Sequence, residues 1–423
     1  MSNAGRRTPM REQLLNGLRR FAFLAAVGGA VSGLGACRGD SGSRDEILLA
    51  HTYAYITMTD TQDAQAPGAV YQFTINADGS LAPLSIASVP AGPDPTSVVS
   101  DPSGHYVYVT NLGDATISQY AVGQDGGLTP LTSAVVSIGG PFPFAAGYSA
   151  TIDPKDHFLY VVLAPRDPPI PTAPIAAIAQ YAIGTDGKLT PLSTAYVEVN
   201  AAAHGYLAID ASGQHAYLAG STGAGGDQVF QFSIGTDGTL SPLTRAAVVV
   251  ARTAVGVAVA PNSQTAYVLS TCVDTDCNGQ VAQYTVGTDG GLTSTGVNTL
   301  TGGHVNPVAM LTNGSGSTAY LLTNLMGVDT NTGAVYQYAI GTTGELVPDA
   351  PPSVMVKSGS VAEGIHEAYL YALSSNAVGF ASGSPSGGNL DQYAVDPGGL
   401  LTAVATVPLG GGSPTAMTIL VPH

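Results

Sequence analysis

Six side chains able to do acid–base, electrostatic or metal chemistry stand just ahead of recurring strand-like segments: His204, Arg252, His304, Glu363, His366 and Glu367, with Asp94 and Asn306 nearby. A His or Glu base with an Arg to stabilise an oxyanion suits the opening of a cyclic ester. Two or three His with a Glu equally suit a divalent metal. A third reading is a polar lining that meets only water. On these residues alone the three remain open.

The three cysteines raise different chemistry. Cys272 and Cys277 flank Val-Asp-Thr-Asp, and in an exported chain a local disulfide is the default. Asp274, Asp276 and Asn278, followed by Gly279, match the first half of a calcium loop. The closing acidic position is Thr285, so calcium is the one cofactor left open and its site is incomplete. Cys37 ends Leu34-Gly35-Ala36-Cys37, which resembles a bacterial lipobox, and it follows the apolar stretch Phe21–Leu34 behind an Arg-rich lead. That stretch is too short to span a bilayer comfortably and has the length of a signal-peptide core. The expectation is a lipoprotein-type signal peptide over 1–36, a flexible polar tether over 37–46 and one folded domain over 47–423. A plain signal peptide is the alternative. The protein is then exported and anchored by lipid on Cys37, in the periplasm or at the outer membrane and cell surface. The anchor is its one expected membrane contact.

Charge limits the partners. Five of the 13 basic residues and one of the 29 acidic ones lie in 1–36. The remainder holds 8 basic against 28 acidic residues, a net −20. Such a surface repels nucleic acid and anionic headgroups.

The elements that must position these residues are legible as repeats. A unit of Gln-aromatic, short strand, glycine turn and Leu-x-Pro-Leu recurs seven times, in full from Gln72, Gln119, Gln180 and Gln231 and in weaker form from Gln283, Gln337 and Gln392. Gln72 and Gln392 are 320 residues and six intervals apart, a mean period of about 53. That is the length of a four-stranded propeller blade. Turns such as Gly-Thr-Asp-Gly supply the positive φ that tight hairpins need. A second hairpin precedes each unit, at 96–111, 149–162, 206–219, 256–269 and 308–322, with a degenerate sixth copy placed at 368–382. Its alternation of apolar and small or polar residues marks half-buried strands.

The chain ends complete the count. The domain opens on the second-strand-like HTYAYIT (51–57) and closes on the inner-strand-like SPTAMTILV (413–421). Joining them closes the ring and leaves no bare edge. The predicted fold is all-β: a seven-bladed propeller of four-stranded antiparallel blades, closed by the C-terminal strand. In such a ring the short turns share one face. The variable loops 163–177, 220–228 and 270–280, and those carrying the six candidate residues, share the other. That face is where a protein, carbohydrate or small-molecule ligand is expected.

Tyr108-Val109-Thr110-Asn111 spells the signature of YVTN-type propellers. The Asp-Pro-x-Gly hairpin with its Gln-Tyr…Asp-Gly-x-Leu partner resembles the 6-phosphogluconolactonase-like (lactonase) seven-bladed family over nearly all of 47–423. The resemblance implies the fold, and implies either lactone hydrolysis, a lactonising isomerase or a pure binding role. The family's His-Ser pair falls on Tyr148-Ser149, its Arg-His pair on Gly205-Tyr206 and its Glu near Ser221. None of the charged members is present at its aligned position. The expectation is therefore a binding or scaffold module, with hydrolysis of a non-phosphorylated lactone as the alternative.

Overall fold

The computed structural model describes residues 52–421, apart from 60–65, 139–144, 166–175, 200–201, 204–205, 222–226, 251–252, 272–278, 301–304, 326–331, 358–359, 367, 376–387 and 410–411. Among the described residues every regular element is a strand. The strands form seven sheets, each a run of antiparallel neighbours from an inner strand to an outer one.

Six inner strands are continuous: Pro95–Ser100, Ala145–Ile152, Thr253–Val259, Val305–Thr312, Ser360–His366 and Ser413–Leu420. The fourth blade's inner strand comes as two pieces, Ala202–Ala203 and Ala208–Ile209, both paired with His215–Ser221. Ser413–Leu420 pairs with Thr52–Thr59 from Tyr53↔Leu420 to Thr59↔Ser413, so the two chain ends build one blade as the sequence predicts.

One repeat differs from the sequence reading. The degenerate hairpin placed at 368–382 is in fact Ser360–His366 paired with Tyr369–Ser375. The Tyr371 segment is the second strand of this blade and its inner strand lies ahead of it. His366↔Tyr369 is the last pair, so the turn is two residues long. It is shorter than the turns of the other inner hairpins, such as Asp101-Pro102-Ser103-Gly104 and Asp210-Ala211-Ser212-Gly213.

The core lies between the blades. Seven apolar clusters each draw residues from two neighbouring blades: Val107 and Tyr120 with Tyr55, for example, or Leu370 and Tyr393 with Tyr320. No blade buries both faces alone, so the ring folds as a set.

Polar staples cross the same seams. Tyr55, Tyr108, Tyr160, Tyr217, Tyr267 and Tyr320 each donate a hydroxyl to a glycine carbonyl in the next blade's outer hairpin, at 2.7–2.8 Å. Burial pushes all six phenols up, so they stay protonated and act as donors. The motif glutamines form a second ring. Gln119 donates Nε2 to Ser133 O within its blade and accepts from Leu189 N of the next at 2.8 Å. Gln180 and Gln231 repeat the pattern. The repeating Gln-aromatic and YVTN signatures are thus seam hardware.

Candidate functional site

Each inner strand is the last in its sheet, so seven strand edges face the axis. They enclose a cavity of about 460 Å³, within the range of small-molecule sites. Its wall is two-sided. Ser97 and Thr418 of adjacent blades give it a polar side; Val255, Val257, Val308 and Met310 give it an apolar one.

The polar side is already tied into the frame. Ser100 and Thr418 share a hydroxyl bond at 3.2 Å. Thr96 donates to Gly147 O at 2.9 Å, Ala150 N donates to Ser97 Oγ at 3.2 Å, and Thr151 donates to Leu207 O at 2.9 Å. These bonds satisfy hydroxyls that would otherwise need water, and they lock the inner strands of blades one to four.

One tyrosine lines the channel and a second lies near it. Tyr206 follows the break in the fourth inner strand and lines the cavity. Tyr148 is the bulged residue of the third inner strand, left out of the pairing between Gly147 and Ser149. They are 42% and 47% exposed, whereas the staple tyrosines are fully buried. Enclosure by the channel wall, then the neighbouring Tyr148, pushes the Tyr206 phenol up to about 12. At neutral pH it is an uncharged donor and ring face. The sequence reading met both positions only as places where charged residues are lacking; the strand break and the bulge that present their rings are tertiary features.

Of the six candidate residues, His204, Arg252, His304 and Glu367 lie outside the described residues, as do Cys37, Cys272, Cys277, Asp274, Asp276 and Asn278. Glu363 and His366 lie within an inner strand and not in the loop ahead of it. Glu363 sits midway, opposite Ala372; His366 closes the strand opposite Tyr369, at the turn end. Strand rise puts His366 about 20 Å from the loop that opens this strand, so it does not join the loop-borne candidates at one mouth. Asp94 occupies the connection between blades one and two, with φ +48°, and its carbonyl accepts from Leu112 N at 2.8 Å. Among the described residues no three His, Cys, Asp or Glu gather as a metal site.

Residues 50–168 match the family model described as Lactonase, 7-bladed beta-propeller. No curated protein sequence matches the chain. In fold it is similar to the periplasmic gluconolactonase of Pseudomonas aeruginosa, with TM-score 0.65, 16% identity, and 88% of this chain and 100% of that one covered. A Bacteroides fragilis protein provisionally assigned as a 6-phosphogluconolactonase gives TM-score 0.65 at 17% identity, covering 89% and 99%. A functionally unknown protein from Desulfotomaculum acetoxidans gives 0.59 at 15%, covering 87% and 99%. At such identities the likeness establishes the lactonase-like seven-bladed fold.

Proposed function

We propose that this protein is an exported binding module that takes a small-molecule ligand into the channel from the loop face. The observation that carries the reading is the wall itself. Among its described lining residues there is no His, Asp, Glu, Lys or Arg, and the one titratable group is Tyr206. Opening a lactone at neutral pH asks for a base near pH 7 and a fixed positive or hydrogen-bonding clamp. A phenol raised to about 12 is a poor base there. A phosphorylated sugar lactone is disfavoured further, since no described cation lines the cavity and the chain beyond residue 36 carries a net −20.

The second reading is hydrolysis of a non-phosphorylated lactone. The fold likeness to a periplasmic gluconolactonase favours it. The purified protein should be assayed against neutral and phosphorylated lactones, with and without calcium, correcting for spontaneous hydrolysis. We expect no catalysed rate. A catalysed rate above the spontaneous one would replace binding by catalysis.

The anchor belongs to the same proposal. Labelled palmitate should be incorporated in a Cys37-dependent manner, and Cys37→Ser should abolish the label. Unlabelled wild-type protein would refute lipidation.

A further inference from the structure

The backbone edge that each inner strand turns to the axis is closed by hydroxyls in the third and fourth blades and open in the fifth and sixth. An inner strand pairs on one side only, and antiparallel pairing turns the N–H and C=O of every second residue away from the partner strand. The hairpin ends fix which residues these are: Asp153 N donates to Phe158 O, Ala260 N to Thr265 O and Asn313 N to Thr318 O, at 2.8–3.0 Å. Counting back along the ladders, Ala150, Val257 and Met310 share the outward register, opposite Val161, Val268 and Leu321. All three line the cavity. Their side chains pack into or against the clusters between blades, so what they turn to the axis is backbone.

In the third blade Ala150 N donates to Ser97 Oγ at 3.2 Å, and in the fourth the same register is Leu207, whose O accepts from Thr151 Oγ1 at 2.9 Å. Each cap is a hydroxyl on the preceding blade's inner strand. The position of Thr151, opposite the staple Tyr160, is Ala208 opposite Tyr217 in the fourth blade and Ala258 opposite Tyr267 in the fifth. The position of Ser97, two residues before the one opposite the staple tyrosine, is Tyr206 in the fourth blade and Gly256 in the fifth. Val257 O and Met310 O therefore face alanines, and Met310 N–H faces a residue with no side chain. Among the described residues none caps these groups.

We propose that the channel takes a small uncharged amide, laid along the open edges of the fifth and sixth blades as a short extra strand. The proposal rests on the reading of the channel as a binding site. Water can serve an open strand edge, but a ligand that displaces it must return a donor and an acceptor at matching places or lose affinity. A secondary amide offers both at the spacing of a strand, which is how a peptide adds to a sheet edge. Charge is excluded on either sign, because no described lining residue is charged and an unpaired ion entering such a wall pays its desolvation. A cavity of about 460 Å³ admits an amide with one or two apolar substituents and no longer chain.

Isothermal titration of the purified protein with N-acetylleucine N-methylamide, its analogue methylated on both amide nitrogens, N-acetylleucine and glucose tests the class. The amide should bind more tightly than its methylated analogue by about tenfold or more, the scale of two hydrogen bonds. The carboxylate and the sugar should give no binding heat. Ala208→Thr, Gly256→Ser and Ala258→Thr together install on the fourth and fifth blades the hydroxyls that the second and third already carry. A Cβ at Gly256 meets Leu269 at an ordinary 3.5 Å, so the serine fits. This variant should melt no lower than wild type and should lose about tenfold or more in amide affinity. Equal affinity for the amide and its methylated analogue, no binding of the amide at millimolar concentration, preference for glucose, or a folded capped variant that binds as wild type does would overturn the amide class. Should the capped variant not fold, the two amides on wild-type protein still decide. Val308→Trp, which fills the cavity, separates the two readings. Binding of any probe that Val308→Trp abolishes keeps the channel as the site, and binding that survives it would overturn the channel reading as well.

Discussion

The hydroxyl of Tyr371 in the last blade donates to the carbonyl of Gly79 in the first, at 2.7 Å and 292 residues apart. It is the seventh copy of a bond whose other six copies span 71–79 residues, and it lies at the seam that closes the ring. Gln392 reinforces it by donating to Asp78 O at 3.3 Å.

Replacing Tyr371 with Phe removes that donor and leaves a buried carbonyl unpaired, a loss of about 1–3 kcal/mol. Tyr108→Phe removes the same bond within the ring and should cost a similar amount. Urea unfolding of both variants checks this; a Tyr371→Phe protein as stable as wild type would show that the seam does not depend on the staple.

Gly126 has φ +74°, and a Cβ there would collide with the Tyr53 ring of the preceding blade. Gly126→Ala should therefore destabilise by more than the ~1 kcal/mol scale of ordinary glycine substitutions. Gly296 has open space and no positive φ. Gly296→Ala should be neutral or stabilise by about 0.4–1 kcal/mol. Thermal melts of the pair separate the two classes of glycine.

Removing 413–423 strips the inner strand from the first blade and exposes the edge of Thr52–Thr59. Several unpaired backbone groups at about 1–3 kcal/mol each rival a typical domain's entire stability of about 5–15 kcal/mol. The truncated chain should aggregate. A soluble truncation with a cooperative melt would contradict closure by the C-terminal strand.

Asp210 links acidity to the hairpin turn of the fourth blade. Burial pushes its carboxyl up, but Gln214 N, His215 and Ser212 together outweigh that and hold it below the ordinary 3.8. A depressed carboxyl contributes stability that is present above the unfolded-state value and lost as pH falls through the folded one. Asp210→Asn should therefore be less stable than wild type at pH 7, by about 1–3 kcal/mol, and the gap should narrow below pH ~4. Chemical denaturation at pH 7 and pH 3 tests the sign.

Cys272 and Cys277 should form a disulfide closing a six-residue loop, worth roughly 2–3 kcal/mol at most and local to it. Non-reducing mass spectrometry of exported protein checks it; two free thiols would exclude the bridge.

The sequence by itself determined the blade count, the order of strands and the closure of the ring. Those follow from local periodicity, which repeats wherever the same hairpin must form: Tyr108 and Gln119 recur because every seam is bonded by a tyrosine hydroxyl and by a glutamine amide. What only the tertiary structure decided is the channel. Tyr206 reaches the cavity because the fourth inner strand breaks beside it, and a bulge leaves Tyr148 exposed near it. Loop position in the sequence suggested that His366 joins the other candidates at one mouth; pairing with Tyr369 puts it at the opposite end of its strand. The physical reason is that a propeller builds its site from one edge of each blade, so neighbours in the site are separated by whole repeats. Local pattern specifies each edge, and only closure of the ring sets the edges against one another.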